Sequence, residues 1–219
     1  MTLCGDIMDQ YTLVQQLKRY RYITSPQVEA AFLRVEREKF VLPDYRNSAY
    51  SDSPLPILCG QTISAPSMIA IMLEVANLKR GITVLEIGCG SGYNAALMAE
   101  IVGEDNIITI ERIPELAEWG KKNLESAGYH IKVAGGDGTL GYPEKAPYDR
   151  IISTAAAPKI PQPWVDQLAL HGLIVCPVGS KHWYQELEVA EKTEDGTLRV
   201  THHGGCAFVP LIGKEGFKQ

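Results

Sequence analysis

The chain has 219 residues, 45% hydrophobic and 21% charged, ordinary globular values that exclude a disordered or fibrous protein. Lys and Arg number 21 against 26 Asp and Glu, a net charge of −5. A non-specific nucleic-acid binder is expected to be basic, so that class is disfavoured, and an acidic substrate must be attracted by local donors rather than by the overall field. The cysteines Cys4, Cys59, Cys89, Cys176 and Cys206 contain no C-x-x-C pair, which leaves out a zinc knuckle and a thioredoxin-like couple. Their odd number reads as reduced thiols in the cytoplasm. The first ten residues, MTLCGDIMDQ, have neither the basic start nor the apolar run of a signal peptide. No apolar stretch reaches the roughly 18 residues of a membrane-spanning helix.

In chain order, Tyr11 to Tyr22 carries apolar residues near helical spacing and ends in basic residues that suit a helix C-terminus. Ser25-Pro26 opens a second helix as N-cap and first-turn proline. Phe40 to Pro56, rich in Pro, Asp, Ser and Tyr, predicts a long surface loop, and a third helix runs from Pro66 to Asn77. After Gly81 the rhythm changes to short apolar strands at 82–88, 107–111, 132–137, 149–154 and 173–179. Between them lie helical patterns at 93–102, Pro114 to Ala127, and Trp164 to Leu170. This alternation predicts right-handed crossovers and a parallel sheet. Glu194-Asp195-Gly196-Thr197 then separates two alternating runs, 184–192 and 198–212, as a hairpin, so the sheet closes with antiparallel strands. The fold class is α/β, doubly wound and mostly parallel.

The strongest candidate site is Val84-Leu85-Glu86-Ile87-Gly88-Cys89-Gly90-Ser91-Gly92-Tyr93. Strand, glycine turn and helix follow in the order a nucleotide crevice requires, with backbone N–H groups free at the helix start. A tight turn without a ligand is the plainer reading, and two acidic residues weigh against it. Glu111 ends the next strand at the distance along the chain where a carboxylate meets a ribose diol, although it also suits a helix entry. Asp137, in Gly135-Gly136-Asp137-Gly138, ends the following strand. Its carboxylate suits an adenine amino group, with Gly138 leaving room for the ring, although Asp-Gly also makes a simple turn. The glycines read G-x-G-x-G, not the dinucleotide G-x-G-x-x-G, and the P-loop lysine is missing.

Glu86-x-Gly88-x-Gly90-x-Gly92 resembles the first motif of S-adenosylmethionine-dependent methyltransferases. The match to one branch extends from about residue 10 to 213. Gly60-Gln61-Thr62-Ile63-Ser64-Ala65-Pro66, Ile110-Glu111-Arg112, Gly136-Asp137-Gly138 and Ala146 to Ile152 resemble the protein-L-isoaspartate O-methyltransferases. So do Thr154-Ala155-Ala156-Ala157-Pro158, Pro177-Val178-Gly179 and Val209-Pro210-Leu211. The sequence departs from that pattern at Asn94 and Ser67.

The resemblance implies a Rossmann-like methyltransferase core at 81–180. An N-terminal elaboration, 1–80, shares in the substrate cleft, and C-terminal strands, 181–219, complete the same sheet. It implies methyl transfer from S-adenosyl-L-methionine, with S-adenosyl-L-homocysteine as product, to the free α-carboxylate of L-isoaspartyl residues in damaged proteins and peptides. The ester then closes to a succinimide that reopens partly to aspartate.

The family match points to Ser64 as the active-site hydroxyl, orienting the carboxylate. Ser64 before Ala65-Pro66 is equally a helix N-cap. Thr62, Ile63, Glu86, Gly88, Cys89, Gly90, Gly92, Glu111, Arg112, Asp137 and Gly138 are the expected cofactor contacts, though Cys89 also reads as a small buried thiol. Ser64, Ala65, Pro66 and the Val209-Pro210-Leu211 wall are the expected substrate contacts, and an edge strand blunted by Pro210 explains the last equally well. No metal is expected, since His202 and His203 would face opposite ways on a strand. A monomer without nucleic-acid or membrane partners is expected. The rivals are methylation of a small molecule or nucleic acid, and a non-catalytic S-adenosylmethionine-binding module.

Overall fold

A computed structural model describes residues 8–181 and 183–218. Cys4 and the N-terminal segment read for a signal peptide therefore lie at least in part outside the described residues. The first helix, α1 (Gln10–Arg19), is capped by the Asp9 carboxylate, which accepts from the Thr12 N–H at 2.7 Å. It stops three residues earlier than the periodicity predicts. Arg21 turns left-handed at φ 60°, its N–H reaches the Lys18 carbonyl, and the Tyr22 N–H reaches that of Leu17. These two bonds close a Schellman motif without a glycine. Helix α2 (Pro26–Arg34) follows Ser25 as expected, though the Ser25 hydroxyl makes no cap. Instead it donates to Glu74 on α3 (Pro66–Ala76), tying two helices together.

The stretch expected as a surface loop is built differently. Two 3-10 turns, Arg37–Phe40 and Pro43–Ser48, bury Arg37, Phe40 and Ala49, because Phe40 packs on Tyr93. The chain then forms a short hairpin of β1 (Leu55–Pro56) and β2 (Thr62–Ile63).

The main sheet contains β3 (Val84–Ile87), β4 (Ile107–Glu111), β5 (Lys132–Gly135), β6 (Tyr148–Ser153), β7 (Leu168–Gly179), β8 (Gln185–Lys192) and β9 (Leu198–Cys206). Their order is β5-β4-β3-β6-β7-β8-β9. The first five strands of that order run parallel, and the β7–β8 and β8–β9 pairs are antiparallel. From β3 the chain moves outward one way to β4 and β5, then returns to place β6 on the other side. The crevice at the carboxyl ends of β3 and β6 is thus a topological switch point. Every residue of β3 and β4 is buried, as a central parallel strand requires.

The helices α4 (Tyr93–Val102), α5 (Pro114–Ala127) and α6 (Gln162–Gln167) connect these strands. Helix α6 lies earlier than the 164–170 reading, because Leu168 to Leu170 already belong to β7. The last run also ends sooner. Strand β9 stops at Cys206, and only Pro210 returns to the sheet edge, as a single bridge to Ala156. The hairpin turn is as read: the Thr193 N–H donates to the Thr197 carbonyl across Asp195-Gly196. One core cluster joins residues of α1, α2 and α3 to those of α4, β4 and α5. No helix among the described residues is long and apolar enough to cross a membrane.

Candidate active site

The strand ends and the small hairpin enclose one cleft of about 910 Å³, its open mouth included. Its floor is Ile87 and Ile110, at the ends of the two central strands. Gly88, Cys89, Gly90 and Ser91 form one side, and Thr62, Ile63 and Ser64 face it from the hairpin. Thr154, Ala155 and the Val209–Ile212 segment close the far wall.

The glycine turn is required by what surrounds it. Gly88 sits at φ +95°, and a Cβ there would strike the Thr154 hydroxyl. That hydroxyl donates to the carbonyl oxygens of Gly88 and Ile87, so strand β6 holds the loop directly. Helix α5 comes equally close through Gly120, where a Cβ would lie 2.6 Å from the Gly90 carbonyl oxygen and 2.9 Å from the Cys89 sulfur. Nothing in the local pattern of α5 marked Gly120. Its meaning comes from a loop thirty positions away.

Glu111 is buried on the rim of this loop. One carboxylate oxygen accepts from the Gly90 N–H at 3.1 Å and the other from the Ile113 N–H at 3.0 Å. These bonds fit the helix-entry reading and leave the ribose reading open. Glu111 caps the chain entering α5 and still has lone pairs for ligand hydroxyls, since an ionised carboxylate accepts about four hydrogen bonds. Arg112 lines the cleft beside it. Gly138 also lines the cleft beside the apolar Ile87 and Ile110, where an added Cβ would lie 2.7 Å from Ile87 Cγ2. The Trp164 indole N–H holds the Gly138 carbonyl at 2.8 Å.

Asp137, Glu86, Gly92, Ala65 and Pro66 stand back from the cavity. Asp137 does not line it. Its carboxylate accepts from the Thr139 N–H and hydroxyl and from the Lys214 N–H at 2.8 Å, which anchors the C-terminal segment. Burial opposes ionisation of Asp137, but these donors outweigh it and hold its pKa below the usual carboxylate value. Glu86 is fully buried beneath the loop, where Oε1 accepts from Asn94 at 2.8 Å and Oε2 has no partner among the described residues. Burial pushes it up to about 7. Cys89 lines the cleft as a buried thiol, raised well above its ordinary value by burial. Gly92 is the left-handed N-cap of α4 and lies outside the lining, where a Cβ would strike Leu124 and the Gly120 carbonyl of α5. Ala65 and Pro66 are the N-cap and first residue of α3 and lie outside the lining. Ala65, not Ser64, occupies the N-cap, because the chain turns helical only at Pro66. Ser64 is thereby released from capping. Its carbonyl accepts from Arg37 Nη2 at 2.8 Å, and its hydroxyl makes no hydrogen bond among the described residues. Val209, Pro210 and Leu211 all line the cleft, held to β6 by paired backbone bonds between Ala156 and residues 209 and 211.

Such a cleft suits an adenosine-type ligand: an apolar floor for a base, a buried carboxylate for a diol, and a glycine loop open to close approach. Comparison with known proteins gives the same direction. The model of the protein-L-isoaspartate(D-aspartate) O-methyltransferase family matches residues 8–216. A protein-L-isoaspartate O-methyltransferase of Thermococcus onnurineus is 55% identical over 95% of this chain and 96% of its own length. That of Methanopyrus kandleri is 55% identical over 94% and 92%. Among solved structures, one protein-L-isoaspartate O-methyltransferase superposes with a TM-score of 0.86 at 31% identity, covering 94% of this chain and 67% of that one. A Plasmodium falciparum structure described as a beta-aspartate methyltransferase, in complex with S-adenosyl-L-homocysteine, gives 0.82 at 27% identity over 93% and 98%. The match runs over nearly the whole described chain, and the chain belongs to the protein-L-isoaspartate(D-aspartate) O-methyltransferase family.

Proposed function

We propose that this chain transfers a methyl group from S-adenosylmethionine to the free α-carboxylate of L-isoaspartyl residues in damaged proteins and peptides. When bound, S-adenosylmethionine supplies an electrophilic sulfonium methyl. The residues fit it. Glu111 receives the ribose hydroxyls, Gly138 with Ile87 and Ile110 takes the adenine, and the Gly88 to Gly90 backbone borders the remainder.

The observation that carries the reading is that Ser64 and the glycine loop line one cleft whose lining includes neither His nor Lys. A carboxylate nucleophile needs neither. With an unperturbed pKa near 4 it is ionised at neutral pH, so no general base has to prepare it. The Ser64 hydroxyl, free of other bonds, donates to one carboxylate oxygen and directs the other at the methyl carbon. As the O–C bond forms, the C–S bond breaks with its electron pair on sulfur, and the two charges cancel. The apolar surroundings of Ile57, Ile63, Ile69 and Leu211 favour that loss of charge by limiting hydration. Thr62 and Ile63 border the methyl donor, and Val209 to Leu211 support the peptide chain.

The acidic balance argues against a nucleic-acid partner. The four described cysteines are unpaired, in keeping with a cytoplasmic setting. Labelled methyl should pass to an isoaspartyl peptide and not to the matched aspartyl peptide, and should leave as methanol in mild base. Equal labelling of both peptides, or base-stable label, would overturn the assignment.

A further inference from the structure

Arg37 does not line the cleft and has no exposed surface. Its guanidinium carbon lies 5.0 Å from the centroid of the Tyr93 ring, the first residue of α4 after the glycine loop. Nη2 donates to the Ser64 carbonyl at 2.8 Å, while Nε and Nη1 have no partner among the described residues. Burial lowers its pKa to about 10, so it stays charged at neutral pH.

A buried, incompletely paired charge is costly, and an apolar side chain of similar size packed against Tyr93 would avoid the cost. Stability alone therefore does not account for this guanidinium. What it touches does. Ser64 is held through its carbonyl by Arg37, and three residues on, the Ser67 N–H is held by Asp52 at 2.8 Å. The backbone is pinned at the Ser64 carbonyl and again three residues on, while the Ser64 hydroxyl is left free.

We infer that Arg37 is a positioning residue for methyl transfer: by clasping the Ser64 carbonyl while resting on Tyr93, it fixes the Ser64 hydroxyl relative to the glycine loop. The inference rests on the reading of Ser64 as the group that receives the substrate carboxylate. Only Arg presents a planar fork that both lies on an aromatic ring and donates to a carbonyl, so lysine should replace it in part.

The test is a double-mutant cycle on full-length protein with Ser64→Ala, Arg37→Gln and Arg37→Lys, measuring kcat and KM for an isoaspartyl peptide at saturating cofactor. Arg37→Gln should lower kcat/KM by about tenfold, mostly through KM. The carboxylate carries its full charge when it binds and loses it on the way to the transition state, so its contacts matter most in the bound state. Arg37→Lys should recover part of the loss. In the Ser64→Ala background either change should have less than about a twofold further effect, because residues acting through one group are not additive. Simple loss of folded protein would instead lower activity equally in both backgrounds. If Arg37→Gln does not fold, Arg37→Lys carries the cycle. Multiplicative effects, an Arg37→Gln protein with unchanged kinetics, or a fully active Ser64→Ala would overturn the inference. A wild-type chain that labels no isoaspartyl peptide would remove the functional reading beneath it, and that result appears before any variant is compared.

Discussion

Glu111 is the expected cofactor residue whose carboxylate the fold brings to the cleft. Its position at the end of the second strand of the α/β unit suggested a ribose ligand, and the fold places it in the cleft with one oxygen on the Gly90 N–H and the other on the Ile113 N–H. Glu111→Ala should therefore weaken cofactor binding by about 1.5–3 kcal/mol, the range for hydrogen bonds to a charged group. Calorimetric titration with S-adenosyl-L-homocysteine checks this, and unchanged affinity would remove the ribose role. Asp137 is the instructive contrast. The same kind of reasoning placed it on the adenine, yet it does not line the cleft, and its carboxylate holds Thr139 and Lys214 instead. Lys214 lies far along the chain, and no local pattern announces such a partner. Arg37 was hidden for the same reason. In the sequence it is one charge among Arg34, Glu36, Glu38 and Lys39, and only its bond to residue 64 sets it apart.

At the level of elements, the glycine loop is held between β6 and α5. Thr154 bonds its carbonyls from one side, and Gly120 lets the helix backbone approach from the other. A methyl group at Gly120 would press on the Gly90 carbonyl, which is backbone and cannot swing away. Gly120→Ala gains helix propensity of about 1 kcal/mol but meets overpacking of about 1–3 kcal/mol. We expect a lower urea midpoint and weaker cofactor binding, because the loop must shift. A variant as stable as wild type with full affinity would show that α5 yields instead. The six described α-helices were readable from periodicity or start signals, but several limits were not. Helix α1 ends early through the left-handed Arg21, and α6 gives way to strand at Leu168, where the β7 ladder takes the backbone. Both are decided by hydrogen bonds that propensity does not encode.

Across the whole molecule, Glu86 links the site to stability. Burial raises it from 4.5 to about 7, so the folded chain holds a proton there that the unfolded chain has released. Its favourable contribution is complete below pH 4.5 and is lost as the pH rises through 7. A shift of this size corresponds to about 3 kcal/mol. Wild-type urea midpoints should fall between about pH 5 and about pH 8 more steeply than those of Glu86→Gln, which cannot titrate there. Parallel curves would mean that Glu86 keeps its ordinary pKa. The alternation of strands and helices, the glycine turn between them and the closing hairpin were readable from the residues alone, because periodicity and turn chemistry are short-range. The family followed from motifs that residues carry in order along the chain. Which carboxylate faces the cleft, which is spent on the C-terminal segment, and which buried cation braces Ser64 depend on neighbours tens of positions away. Those pairings exist only once the sheet has brought its strand ends together, so packing and not local sequence sets them.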